Sequence, residues 1–147
     1  MLLVFEGVDG SGKTTQADLL KDYFEKKGKE VIMVKFPSNN EIGSLIKKNI
    51  KKNSNAKVDA LLFLADMIEE DNEVIKKALS QNKIIICDRY FYSTIIYQGI
   101  QGVKLETIKP FIQDLSKPDK VFILDVFLKD CIMRNKKDSR YENPDFM

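Results

Sequence analysis

The chain has 147 residues, of which 44% are hydrophobic and 31% charged, with a formal net charge of +2. This is the size of one domain and an ordinary globular composition, and its near-neutral charge argues against nucleic acid or a membrane surface as partner. No apolar run approaches the roughly 18 residues needed to span a bilayer.

Residues 2–6, LLVFE, are continuously apolar and predict a buried strand. No basic region precedes them and a charged helical stretch follows, so a signal peptide is not expected. From Lys13 to Lys27 the spacing of Ala17, Leu20, Tyr23 and Phe24 predicts a helix that Gly28 stops. EVIMVKF, 30–36, reads as a second strand closed by Pro37 and the turn-rich SNN. Ile42 to about Ile50 reads as a short amphipathic helix, and a longer helical region is expected over Val58–Leu79, interrupted near EEDNE. KIIICD and KVFILDV are the third and fourth strands. Between them lie a helical YSTIIYQG and an amphipathic LETIKPFIQDL, where Pro110 is expected to distort or restart the helix. The tail is helical from Leu128, then charged and loop-like. Strands alternating with helices predict an α/β fold, a central parallel sheet with helices on both faces. There are no repeats or interdomain linkers, so residues 1–147 read as a single domain.

Three compositional features narrow the chemistry. There is no histidine, which excludes histidine acid–base catalysis and histidine metal ligation. Cys87 and Cys131 lie in apolar contexts without CxxC spacing and read as buried thiols of a reducing, cytoplasmic compartment. Of 24 basic residues only Arg89, Arg134 and Arg140 are arginine. In a chain that otherwise uses lysine, each marks a position where a planar two-pronged donor is needed.

Gly7-Val8-Asp9-Gly10-Ser11-Gly12-Lys13-Thr14 satisfies G-x-x-x-x-G-K-[ST], between a predicted strand and a predicted helix. Its glycines let backbone N–H groups turn inward around phosphate oxygens, and the helix N-terminus adds its positive end. Lys13 would reach the β- and γ-phosphates of ATP, and the Thr14 hydroxyl would ligate Mg²⁺; Thr15 continues the cradle. The fold expected is therefore a P-loop NTPase, three layers α/β/α. The absence of Asn-Lys-x-Asp and of Asp-x-x-Gly after the second strand argues against a GTPase. A small-molecule kinase fits best. Asp88 and Arg89 close the third strand at its carboxyl end, where open α/β sheets bind ligands. Asp88 is a candidate to hold Mg²⁺ through water or to orient the acceptor, and Arg89 to bridge donor and acceptor phosphates. A structural pair, Asp88 capping the next helix and Arg89 in a surface ion pair, is the alternative.

The motifs EGVDGSGKTTQ, KFP (35–37), EIG (41–43), LLFLAD (61–66), DRYFYSTIIYQG (88–99), KPD (117–119) and RYEN (140–143) together resemble the thymidylate kinases, in order and over essentially the whole chain. The resemblance implies an ATP- and magnesium-dependent transfer to dTMP, with small-molecule nucleotide substrates and a homodimer. It implies that Asp9 contacts the 3′-hydroxyl of the acceptor, Phe63 stacks on the base, and Arg89 holds the acceptor phosphate, with Lys35 and Phe36 beside it. Thr94 and Gln98 would face the base edge and Tyr97 would lie under the sugar. A lid over ATP, about 134–147, would carry Arg134 toward the adenine or phosphates and Arg140 toward the transferring phosphoryl, with Glu142 positioning acceptor or lid.

The resemblance also has gaps. An arginine expected just after FP is replaced by Ser38-Asn39-Asn40, and another expected four residues after Phe63 is Met67. The family adds helices and a fifth strand beyond the lid, which leads us to expect a partial chain whose fourth strand is an apolar edge. A nucleotide-binding paralogue with little catalysis stays open as a reading. So does a kinase for another nucleotide or a nucleoside, in which Asp88 or Glu6 would act as base.

Overall fold

The protein is described by a computed structural model covering residues 1–50 and 55–134. Four parallel strands, β1 (Leu2–Glu6), β2 (Val31–Lys35), β3 (Ile84–Asp88) and β4 (Lys120–Ile123), form one sheet in the order β2-β3-β1-β4. The register sets Leu3 beside both Ile86 and Lys120, and Lys35 beside Asp88. Because side chains alternate across a strand, Leu2 and Val4 join one core with Ile85, Cys87 and Tyr90, while Leu3 and Phe5 join another with Ala17, Ile84 and Ile86. Both faces of β1 and β3 are thus covered, as their unbroken apolar runs require.

The helices are α1 (Lys13–Lys26), α2 (Glu41–Asn49), α3 (Ala56–Glu70), α4 (Lys76–Ser80), α5 (Phe91–Ile100), α6 (Leu105–Ile112) and α7 (Leu128–Arg134). Three local expectations are sharpened. First, α2 and α3 begin earlier than apolar spacing alone predicts, because Asn40 and Asn55 cap them; each side chain accepts a hydrogen bond, from Gly43 N and Lys57 N respectively. Second, the interruption at EEDNE is a π-helical turn, Asp71–Ile75, which passes straight into α4. Third, α6 runs through Pro110 and ends at Ile112, so the ring removes one N–H close to the helix end and does not restart it.

Among the described residues β4 pairs only with β1, and Ile123 and Phe127 are 76% and 78% exposed. Phe122, itself 41% exposed, stacks on Phe5 at 4.9 Å between ring centroids.

Gly10 lies where β1 turns toward α1, with φ +82°, and an added Cβ would sit 2.4 Å from the Cys131 carbonyl oxygen of α7. Gly10→Ala therefore meets both a left-handed backbone and a main-chain clash. We expect it to destabilise the fold by roughly 3 kcal/mol, measurable as a fall in Tm of about 5–10 °C.

Candidate active site

The loop from Gly7 to Gly12 leaves the buried end of β1 and enters α1. Gly7, Gly10 and Gly12 have φ of +148°, +82° and +95°, conformations that side chains rarely adopt. A Cβ on Gly7 would come within 2.8 Å of the Leu124 carbonyl oxygen and of Ser11 Oγ. Ser11 Oγ is buried and has no hydrogen-bond partner among the described residues. Gly12 offers α1 no side-chain cap, which leaves the first-turn N–H groups of the helix for a ligand. A tight backbone cradle with a buried hydroxyl that has no partner among the described residues, opening onto a helix N-terminus, fits phosphate.

Lys13 is only 5% exposed. Its Nζ donates to the Val8 carbonyl at 2.8 Å and lies 3.6 Å from Asp9 Oδ1. Burial pushes its pKa down and the nearby Arg89 adds to this, while Asp9 and Asp88 oppose it. The ammonium is poorly solvated before any ligand arrives, and phosphate oxygens would supply the partners it lacks.

Across the cradle, Thr14 Oγ1 donates to Asp88 Oδ2 at 2.6 Å. Lys35 Nζ is 2.9 Å from Asp88 Oδ2 and donates to Thr14 Oγ1 at 3.2 Å. Burial alone would raise the Asp88 pKa, but the hydrogen bonds from Thr14 and Lys35, with the charges of Lys35 and Lys13, bring it below the ordinary value. A hydroxyl and an ionised carboxylate side by side are hard oxygen donors, a set that fits Mg²⁺ shared with phosphates. Lys35, expected at the acceptor phosphate, is directed to this pair instead.

Arg89 leaves β3 with φ +74°, and its N–H donates to the Phe5 carbonyl at 2.9 Å. A non-glycine residue held there is a strained position of the kind that clusters at functional sites. Its guanidinium forks: Nη1 donates to Ser93 Oγ at 3.0 Å, and Nη2 makes a close charged contact with Asp9. Its Cζ stands 5.5 Å from the centre of the Tyr97 ring. The alternative of a surface ion pair does not hold, because this side chain is 14% exposed.

The Arg89 fork is supported by Glu6, a residue first considered only as a base. Glu6 is buried; its carboxylate accepts from Tyr90 N at 2.8 Å and from Ser93 Oγ at 2.6 Å. It closes the start of α5, which has no cap of its own. Burial raises its pKa, partly offset by the bonds from Ser93 and Tyr90 and by the charge of Arg89. A carboxyl whose folded pKa lies above its ordinary 4.5 stabilises fully below 4.5, and that contribution is lost as pH rises through the folded value. Glutamine keeps the uncharged form at every pH. The Tm of wild type minus that of Glu6→Gln should therefore fall as pH is raised from about 4.5 through the elevated Glu6 pKa, as followed by thermal melts.

Asp9, Phe36, Phe63, Arg89, Thr94, Tyr97 and Gln98, all selected from sequence, line one cavity beside the P-loop, together with Met67. Thr94 and Gln98, one turn apart on α5, are 2% and 1% exposed. Burial raises the pKa of Tyr97 despite the opposing charge of Arg89. The loop after Pro37 is tied down by Asp66, which accepts from Ser38 N at 2.8 Å and Ser38 Oγ at 2.5 Å. Asn39 turns to Lys47, whose Nζ donates to its Oδ1 at 2.6 Å. Asp66 entered the sequence reading only as the last residue of the LLFLAD motif, with no role assigned, although a carboxylate closing the apolar run LLFLA was a signal that it is buried for a reason. Arg134 is exposed at the end of α7; Arg140, Glu142 and nearly all of the expected lid lie outside the described residues.

Residues 5–147 match a family described as thymidylate kinase. A probable thymidylate kinase of Pyrococcus abyssi is 42% identical over 141 residues, covering 91% of this chain and 69% of that one. Another, from Methanocaldococcus jannaschii, is 40% identical over 149 residues, covering all of this chain and 76% of its own. The crystal structure of thymidylate kinase from Ehrlichia chaffeensis superposes with a TM-score of 0.79 at 33% identity, over 91% of this chain and 77% of that one. The glycine cradle, the Asp88–Arg89 strand end and the cavity between them all fall inside the matched stretch, and the chain belongs to the thymidylate kinase family.

Proposed function

We infer that the protein is an ATP-dependent thymidylate kinase, catalysing ATP + dTMP → ADP + dTDP. The observation that carries this reading is the position of Arg89. It contacts Asp9 of the P-loop on one side and lines the cavity on the other, where a cation can serve both phosphates.

In the mechanism proposed, the acceptor phosphate lies against Arg89, with its base among Phe63, Thr94 and Gln98 and its sugar over Tyr97. The second pKa of a phosphate monoester is about 6, so the attacking oxygen is already anionic near neutral pH and no strong base is needed. That oxygen forms a bond to the γ-phosphorus as the bond from phosphorus to the β–γ bridging oxygen breaks, leaving ADP. Lys13 and Arg89 neutralise the charge that spreads over the equatorial oxygens. Thr14 and Asp88 are the residues that would hold Mg²⁺, which when bound supplies further neutralisation of the donor phosphates. Met67 packs against the cavity without donating a hydrogen bond, so discrimination among bases rests on shape, on Phe63 and on the buried polar groups of α5.

The test is a coupled ADP-release assay across dTMP, dUMP, dCMP, dGMP, UMP and AMP. Turnover highest with dTMP is expected; turnover of another nucleotide without dTMP would reject this acceptor. A homodimer and a cytoplasmic location complete the proposal, supported by exposed Leu61, Ile96 and Ile100 on α3 and α5 and by two buried free cysteines. Light scattering checks the former. No described helix is long and apolar enough to cross a membrane.

A further inference from the structure

The ammonium of Lys35 stands on the two oxygens that the metal reading assigns to Mg²⁺. It is 2.9 Å from Asp88 Oδ2 and 3.2 Å from Thr14 Oγ1. The parallel register places Lys35 directly beside Asp88 at the carboxyl ends of β2 and β3, so the contact is built into the sheet. The two partners differ in exposure: the Asp88 side chain is 5% exposed, and that of Lys35 is 56% exposed. A buried carboxylate needs a cation beside it. A lysine reaching in from solvent on a flexible stem supplies one that can leave.

We propose that Lys35 is a resident cation of the metal subsite, neutralising Asp88 while no divalent ion is present and giving way when one arrives. The proposal rests on the reading that Thr14 and Asp88 hold the metal. Two cations cannot share Asp88 Oδ2 and Thr14 Oγ1 at these distances without strong repulsion. Metal binding must therefore break the Lys35 contacts, and Lys35 sets a threshold that favours an ion arriving with a nucleotide over a free one. It also explains why this lysine does not line the acceptor cavity, although the next residue, Phe36, does.

The experiment measures Mn²⁺ affinity of the ADP-saturated protein by electron paramagnetic resonance, with no acceptor and no turnover. Lys35→Met removes the competing cation and should tighten Mn²⁺ by about fivefold, the upper range for a pair exposed on one side. Lys35→Arg keeps the charge and should stay near wild type. Unchanged or weaker Mn²⁺ binding in Lys35→Met, with the protein still folded by circular dichroism, overturns the proposal. Asp88→Asn separates the two layers of the argument. If it leaves Mn²⁺ affinity intact, the metal reading itself fails and the role of Lys35 falls with it. If it weakens Mn²⁺ while Lys35→Met has no effect, only the role of Lys35 is lost.

Discussion

Lys13→Met should lower kcat by about 10³-fold while the protein stays folded. Removing a single preorganised donor to a developing charge costs on the order of 10²–10³ in rate. Lys13 belongs at the upper end because it is a full charge in a site with little water; its side chain is 6% exposed. Methionine preserves most of the apolar stem and its packing. What is lost on the folded side is one bond to the Val8 carbonyl and a long contact with Asp9. Against that, the substitution removes a desolvated ammonium whose pKa burial and Arg89 hold down. The Tm should therefore shift by no more than a few degrees, a change of about 1 kcal/mol. Steady-state kinetics with the coupled assay checks the rate, and a fall of less than tenfold would remove Lys13 from the transition state.

Arg89→Lys should reduce kcat/KM for dTMP by about 10²-fold, although the charge is kept. The guanidinium divides its donors between Ser93 and Asp9 and still faces the cavity. One ammonium cannot reproduce that fork. A charge-assisted hydrogen bond is worth roughly 1.5–3 kcal/mol, so the loss of one to the acceptor phosphate accounts for an effect of about this size. The penalty should appear mainly with the acceptor, leaving KM for ATP within a few fold. An equal rise in both KM values would point instead to a disturbed P-loop, since Asp9 would have lost its close contact with Arg89.

Much of the candidate donor site was legible as local structure because its signals are local. The glycine spacing, the strand before it and the helix after it occupy consecutive residues, and each follows from backbone sterics or apolar period. The same holds for Asp88 and Arg89, which close an unbroken apolar strand. The acceptor side was legible only as a set of residues matching a family; which of them meet in one cavity followed from packing. Phe63 and Tyr97 lie on α3 and α5, which no local pattern brings together. Helix starts at Asn40 and Asn55 were misplaced because a capping side chain lies outside the apolar period that marks a helix.

By itself the amino-acid sequence determined a parallel α/β domain, a glycine-rich loop at Gly7–Thr14 between a strand and a helix, and an arginine at the end of the third strand. Those properties depend on neighbours a few residues apart. Only the tertiary structure decided the strand order β2-β3-β1-β4, since crossover helices permit several orders for the same strands. It also decided that Glu6 reaches Tyr90 and Ser93, 84 and 87 residues away, and that Lys35 lies on Thr14, 21 residues away. The physical reason is common to these cases: a contact between distant side chains leaves no period or composition along the chain. It exists only once the sheet sets the ends of β1, β2 and β3 side by side.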